Sequence, residues 1–466
     1  MAPTRRRMTH WMGALMALAA LMSMALAGCD APTLPFDSVP AQQCVAQGRG
    51  ALGKDGGVIV PLTAYDPTAK YRTSGLYAVR ADGALAWNCA TTTYVGWNDA
   101  QLVGGTLYAI AGTEFEKEGP TPTHVHALYA IRPTDGKQLW QYSFRAGATS
   151  ALDFDGGRIF FASVTSDGAN EHSNLYALSA ANGALAWQES FGDTVGQPMI
   201  AGGRIYLPIT DPSGPQLRAL SERDGGQVWS DQLAGQDALA NIVTAGDVIA
   251  YAHDDTLTAL DAVTGAPRWS HAVPASVDAP LAAADGAIIS AAGQSVFAFD
   301  AATGALRWSA VLDARALVQS ATARVTYATT LTPDGQYGQV VALDTRSGDI
   351  LWQRDLPDLA TLALGGADAW LLVPVGAQKL ATLVALDAQG DERWRYAGQS
   401  PYNTGALLPD GATLYYVWQG LEAGIAVNPT TITYVTCLRA SDGAALWTTP
   451  LPAFNASPLP PLLVTA

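Results

Sequence analysis

The sequence predicts an all-β fold, a β-propeller of four-stranded antiparallel blades, and three observations carry that reading. A Gly-x-x-x-Trp motif recurs nine times along the chain. Successive tryptophans lie 39 to 53 residues apart, a period that suits one four-stranded blade per repeat. Short apolar runs alternate with Gly-Gly, Asp-Gly and Thr-Gly turns, and few ten-residue stretches of the body lack glycine or proline, so no long helical period develops.

The first element is an export signal. Arg5, Arg6 and Arg7 precede an uncharged apolar run from Trp11 to Ala25, too short to span a bilayer comfortably. The run ends in Leu26-Ala27-Gly28-Cys29, which matches a lipobox. Residues 1–28 are therefore read as a lipoprotein signal peptide and Cys29 as the lipidated first residue of the mature chain. Residues 29–42 form a tether whose Pro32, Pro35 and Pro40 favour an extended chain, and residues 43–466 form the propeller. The expected location is extracytoplasmic, with the body held at a membrane by its lipid. The chain carries 26 Lys and Arg against 41 Asp and Glu, a net charge of −15, and three of those arginines belong to the leader. An acidic body disfavours nucleic acid and an anionic lipid face as partners.

The repeat follows. Its glycines are Gly83, Gly136, Gly183, Gly225, Gly265, Gly304, Gly348, Gly390 and Gly443, and its tryptophans are Trp87, Trp140, Trp187, Trp229, Trp269, Trp308, Trp352, Trp394 and Trp447. In one copy, Leu175-Tyr176-Ala177-Leu178 reads as a strand, Ala181-Asn182-Gly183 as a turn, and Ala184 to Trp187 as the start of the returning strand. A small residue stands at a fixed place before each turn: Ala78, Ala130, Ala177, Ala219, Ala259, Ala298, Ala342, Ala385 and, in the last copy, Cys437. Close packing of sheets requires such a residue. A second hairpin lies between successive tryptophans, as in Asp155-Gly156-Gly157 before Ile159-Phe160-Phe161. Two hairpins give four strands, and one tryptophan per unit supplies the bulky filler between neighbouring sheets.

The segment Ala298-Phe299-Asp300-Ala301-Ala302-Thr303-Gly304-Ala305-Leu306-Arg307-Trp308 resembles the tryptophan-docking motif of the PQQ-like (pyrroloquinoline-quinone repeat) β-propeller family. That family includes the propellers of quinoprotein alcohol dehydrogenases and the propeller lipoprotein of the outer-membrane barrel-assembly machinery. The likeness runs from about Gly50 to Pro450. It implies that each indole stacks on the turn of an adjacent blade. The family norm is eight blades and nine units are counted here, which leaves eight or nine open. Fold alone does not assign a function.

Catalysis finds no support in the residues. The family's dehydrogenases carry a disulfide between adjacent cysteines over the cofactor, and this chain has no adjacent cysteines. No Gly-x-Ser-x-Gly elbow, paired zinc cysteines or phosphate-cradling loop is visible. No catalytic residue, cofactor or metal is expected. Cys44 and Cys89 are a candidate disulfide tying the start of the body to its first unit. Cys437 reads as a buried small residue. His124 and His126 share one face of a strand near Glu114, Glu116 and Glu118, but a third ligand at fixed spacing is missing, and a polar loop is the plainer reading. Asp167, Asn170, Glu171 and His172 read as another solvated loop, and Trp97, Trp370 and Trp418, outside the motif, as core.

Tight hairpins of a blade project from one face, and the connections between second and third strands project from the other. These connections swell at Gly112 to Thr123, Thr165 to Ser173, Leu331 to Gly338 and Gln419 to Thr431. Variable loops on a rigid scaffold are where binding evolves, so protein partners are expected on that face, with the membrane engaged through the lipid. The sequence thus reads as a non-enzymatic envelope lipoprotein serving as a protein-binding scaffold. The alternative is a PQQ-dependent dehydrogenase or quinone-binding subunit.

Overall fold

The computed structural model describes residues 44–46, 51–52 and 56–464, apart from 67–70, 92–94, 114–123, 167–170, 193, 212–213, 234–241, 274–276, 278–279, 332–336, 356–360, 366–367, 376–379, 398–405, 422–430, 455–456 and 459–460. Residues 1–42, read from the sequence as a lipoprotein signal peptide, the lipidated Cys29 and a proline-bearing tether, fall outside the described residues. Among those residues every regular element is a β-strand, and no helix is long and apolar enough to cross a membrane.

The described strands form nine antiparallel sheets. Sheet 1 contains the strands Gly57–Asp66, Tyr71–Arg80 and Leu85–Thr91. Sheets 2 to 9 follow in chain order over residues 95–146, 148–191, 194–232, 242–272, 282–311, 315–355, 361–397 and 406–454. Each is a meander, and in sheets 3 and 4 two short pieces take the place of the first strand, both pairing with the second. First strands of neighbouring sheets touch one another, so they lie at the centre and the last strands at the outside.

Sheet 1 draws on both ends of the described chain. Ser457–Pro458 and Leu462–Val464 pair with Gly57–Asp66 and supply its first strand. Cys44–Ala46 adds to the outer edge, antiparallel to Leu85–Thr91. A cycle of sheets has to be closed somewhere, and closing it by hydrogen bonds between distant segments removes two edges that would otherwise be left open.

The repeat motif does the joining. Trp87 Nε1 donates to Pro133 O at 2.9 Å, Trp140 to Ala180 O at 3.1 Å and Trp187 to Glu222 O at 3.0 Å, each from the last strand of one sheet to the turn of the next. Trp229, Trp269, Trp308 and Trp394 donate in the same way to Ala262, Ala301, Thr345 and Ala440. Trp352 packs on Gly390 of sheet 8, and Trp447 donates to Ala81 O at 2.8 Å, linking sheet 9 back to sheet 1. The small residue of each repeat stands directly opposite the tryptophan across the third and fourth strands, as Ala298 faces Trp308 and Cys437 faces Trp447. A side chain larger than these would displace the indole from its dock.

The turn glycine is required for two reasons at once. At Gly348 φ is +75°, and a Cβ would lie 2.5 Å from Cε3 of Trp308. The Asp of the turn completes the local structure: Asp300 Oδ1 accepts from the backbone N–H of Thr303 at 2.9 Å, as Asp344 accepts from Ser347. Behind these joints the core is layered between sheets. One buried cluster brings Ile289, Val296 and Trp308 of sheet 6 against Ala328 and Val341 of sheet 7. Another brings Val58 and Tyr77 of sheet 1 against Tyr415 and Val435 of sheet 9.

Candidate partner-binding face

Two ends of the sheets differ in what they carry. At one end the connections between first and second strands are short turns, two residues at Gly156-Gly157, Gly202-Gly203 and Asp285-Gly286 and three at Thr322 to Arg324, beside the motif turns. At the other end, sheets 5 and 6 also turn tightly, at Asp254-Asp255 and Gly293-Gln294. Sheets 2, 3, 7 and 9 carry longer connections there, between Thr113 and His124, Ser166 and Glu171, Leu331 and Tyr337, and Leu421 and Thr431. The swollen loops read at Gly112 to Thr123, Leu331 to Gly338 and Gln419 to Thr431 fall on second-to-third-strand connections, whereas at Thr165 to Ser173 the strands pair as far as Ser166 and Glu171 and leave a connection of the length found in sheets 1 and 8; residues 114–123, 167–170, 332–336 and 422–430 themselves fall outside the described residues.

An aromatic cluster lies beside the connection of sheet 2 and reaches sheet 3. In sheet 2, His126 is buried and stacks on Phe144 with ring centroids 5.7 Å apart. It fills the space beside Gly112, where a Cβ would lie 2.4 Å from His126 Nε2. Phe144 reaches Phe161 of sheet 3 at 5.0 Å, and Phe161 stacks on Tyr176 at 4.9 Å and 14°. Tyr142 closes the group edge-on to Tyr176. Burial raises the Tyr142 and Tyr176 phenols above their ordinary pKa, so both stay neutral. In sheet 9, Trp418 stacks on Tyr434 at 4.5 Å and donates to Thr436 Oγ1 at 2.9 Å, with Gly420 leaving room for both rings. In sheet 2 the His126 and Phe144 pair lies two residues from the strand end at His124, whereas the Phe161 and Tyr176 pair of sheet 3 lies five register positions from the Ser166 and Glu171 pair where that sheet's connection departs. The sequence reading did not find the sheet 2 and 3 cluster. Its signal was present in the alternation Tyr142-Ser143-Phe144 opposite Phe161 and Tyr176.

The opposite end carries charge in fixed pairs. Arg268 bridges Asp247 and Asp261, Arg307 pairs with Asp300 at 2.8 Å, and Arg346 of sheet 7 reaches Asp285 of sheet 6 at 2.9 Å. Arg158 of sheet 3 donates to the carbonyls of Glu222 and Arg223 in sheet 4. Burial, with the negative charges of Asp155 and Asp153 nearby, pushes the Glu222 carboxyl up to about 7.

The other singled-out residues fall in different places. Cys89 is buried and disulfide-bonded, and Cys44 stands directly opposite it in the strand register. Cys437 is buried, and burial pushes its thiol up to about 11, well away from a reactive thiolate. His126 belongs to the aromatic cluster, whereas Glu114, Glu116, Glu118, Asp167 and Asn170 fall outside the described residues, as do the side chains of His124, Glu171, Trp97 and Trp370. Among the described residues no group of three or more His, Cys, Asp or Glu is arranged to hold a metal.

A family model described as outer membrane protein assembly factor BamB matches residues 72–208, 125–252, 213–362 and 338–429 in overlapping windows. Tetrathionate hydrolase of Acidithiobacillus ferrooxidans is 24% identical over 203 residues, which cover 40% of this chain and 38% of that protein. Outer membrane protein assembly factor BamB of Yersinia pestis is 29% identical over 107 residues, covering 22% of this chain and 26% of that protein. The chain thus matches less than two fifths of the length of either relative. Among solved structures, BamB from Moraxella catarrhalis superposes with a TM-score of 0.47 at 18% identity, covering 68% of this chain and 92% of that one. Dihydro-heme d1 dehydrogenase NirN superposes with a TM-score of 0.48 at 15% identity, covering 74% of this chain and 76% of that one.

Proposed function

The chain belongs to the PQQ-like repeat propeller family described as outer membrane protein assembly factor BamB, and from that premise we propose that it is a non-enzymatic, extracytoplasmic scaffold that binds protein partners and serves envelope protein assembly. The carrying observation is the family match running from residue 72, within sheet 1, to residue 429, within sheet 9. The long-loop end is the recognition surface, since variable loops on a rigid scaffold are where binding evolves, and in sheet 2 the buried His126 and Phe144 stack lies beside the longest of them.

Cys29 anchors the chain by its lipid, and Cys44 pairs with Cys89 to fix where the tether meets sheet 1. The test is affinity capture of the anchored protein from its own envelope, in parallel with Cys29→Ala. The expected result is that the wild type co-purifies with envelope proteins, while Cys29→Ala leaves the membrane fraction or stays as an unprocessed precursor. Unchanged membrane association of Cys29→Ala would remove the anchor from the proposal.

The second reading is an enzyme, favoured by the local match to tetrathionate hydrolase. It is separated from the first by incubating the purified protein with tetrathionate and, independently, with pyrroloquinoline quinone and calcium. Turnover, or a bound quinone absorbance band at micromolar quinone, would replace the scaffold reading.

A further inference from the structure

The last strand of each sheet lies outermost, and among the described residues its far edge meets another strand in one sheet alone, sheet 1, where Cys44–Ala46 pairs with Leu85–Thr91. That added strand sets Ala46 opposite the docking residue Trp87 and Val45 opposite Asn88. Trp87 is 0% exposed, whereas Trp308, Trp352, Trp394 and Trp229 are 7–9% exposed and the remaining docking tryptophans more so. An outer edge built on this repeat therefore accepts an extended segment.

Open strand edges are templates for unwanted pairing, and natural sheets guard them with charge, proline or a covering segment. The outer strands here follow that rule. Sheet 1 is covered. Arg145 in sheet 2, Glu189 in sheet 3, Asp231 in sheet 4, Arg354 and Asp355 in sheet 7, and Glu392, Arg393 and Arg395 in sheet 8 place charge on the strand. Pro267 begins the last strand of sheet 5, and Pro450 and Pro452 interrupt that of sheet 9. Sheet 6 departs from the rule. Its last strand, Leu306–Val311, holds one charged residue, Arg307, which is committed to Asp300 and to the carbonyls of Asp285 and Gly286. Leu306 is 54% exposed and Val311 is 72% exposed, the highest value among the exposed large hydrophobics of the described residues.

We propose that the outer edge of Leu306–Val311 is a docking site for an extended segment of an unfolded, β-forming polypeptide, added to sheet 6 as Cys44–Ala46 is added to sheet 1. Main-chain hydrogen bonds supply affinity with little sequence preference, and alternate side chains of the guest pack over Leu306 and Val311. The register seen in sheet 1 places a small residue, like Ala46 on Trp87, opposite Trp308. Such a guest is what a factor attending the assembly of β-proteins would hold, so the inference deepens the scaffold reading and rests on its partner being a polypeptide.

The test uses the full chain and a short fluorescent peptide of alternating valine and threonine with a central alanine, beside two versions N-methylated on alternate amides in either phase. Saturable binding, amide-exchange protection confined to 306–311, and loss of binding for one N-methylated phase are expected. Leu306→Lys with Val311→Lys weakens the peptide by about tenfold or more at unchanged melting temperature, since both side chains are exposed and leave the core intact. Absence of binding, or binding that leaves 306–311 unprotected, overturns the proposal. So does equal binding of both N-methylated peptides. Protection of 306–311 that grows with protein concentration in the absence of peptide makes the occupant a second copy of the chain instead. Capture of envelope partners by the doubly substituted protein separates the two claims: the scaffold reading survives a failed peptide experiment if that capture persists.

Discussion

Trp308 and Gly348 form one joint of the cycle, and its energetics can be read atom by atom. The indole donates to Thr345 O at 2.9 Å and lies on a glycine whose φ of +75° disfavours any other residue. Trp308→Ala or Trp269→Ala should cost about 3–5 kcal/mol in denaturant unfolding, the range for deleting a large buried aromatic. Gly348→Ala should cost about 1–2 kcal/mol for the left-handed backbone alone, and more because its Cβ meets the ring. Negligible losses at all three sites would contradict the docking account. Glu222 gives a second residue-scale expectation. Its carboxyl is held up to about 7, so the folded chain keeps a proton that the unfolded chain releases from the ordinary glutamate range upward. Its contribution to stability therefore falls as pH rises from that range to about 7, and Glu222→Gln should flatten that part of the stability profile. An unchanged slope in pH-dependent denaturation would remove Glu222 as the source. The motif residues were legible in the sequence because glycine and tryptophan at one spacing have few other uses. The His126 and Phe144 stack was not, since alternating aromatics in a strand look the same whether they meet a neighbouring sheet or solvent.

Strands and hairpins were legible for a local reason: each turn carries Gly or Asp-Gly at the place where the backbone reverses, and the small residue opposite each tryptophan recurs with it. Ala177 facing Trp187 and Ala342 facing Trp352 are two instances of one register. Long-range pairing was not legible in the same way. Nothing local in Leu462–Val464 says that it pairs with Gly57–Asp66, although Val464 packs in one cluster with Ile59 and Trp87. The segment after Pro450 lies beyond the repeat, and only the geometry of closure assigns it. The outer strand Cys44–Ala46 is the intermediate case, because the two cysteines hinted at a contact while giving no strand register. Cys44→Ser should leave Cys89 open to thiol labelling after unfolding and lower stability by about 2–4 kcal/mol, the usual range for losing a native crosslink. Labelling and stability equal to the wild type would show that Cys89 pairs elsewhere.

At the scale of the whole molecule, nine joints tie each sheet of the described body to the next, and the last ties sheet 9 back to sheet 1. Function then has to reside where this repetition is broken. Repetition is broken most at the second-to-third-strand connections of sheets 2, 7 and 9, which are longer than those of sheets 1, 3 and 8, whereas sheets 5 and 6 keep two-residue turns at the same end. The unequal loop lengths were visible in the sequence, and so was their common end, since alternate connections of a meander leave from opposite ends. Chemical identity of the partner was not visible, because loop sequence specifies contacts only together with the surface it meets. Shortening 114–123 or 167–170 should abolish capture of envelope partners with little change in melting temperature. Loop length enters stability only logarithmically, and the rings beneath, from His126 to Tyr176, keep their own contacts. Charge reversal at Arg346 and Arg268 on the opposite end should leave capture intact. If both shortened variants retain every partner while the reversed-charge variant loses them, recognition belongs to the tight-turn end, and the ion pairs of Arg268 and Arg346 become its first candidate contacts.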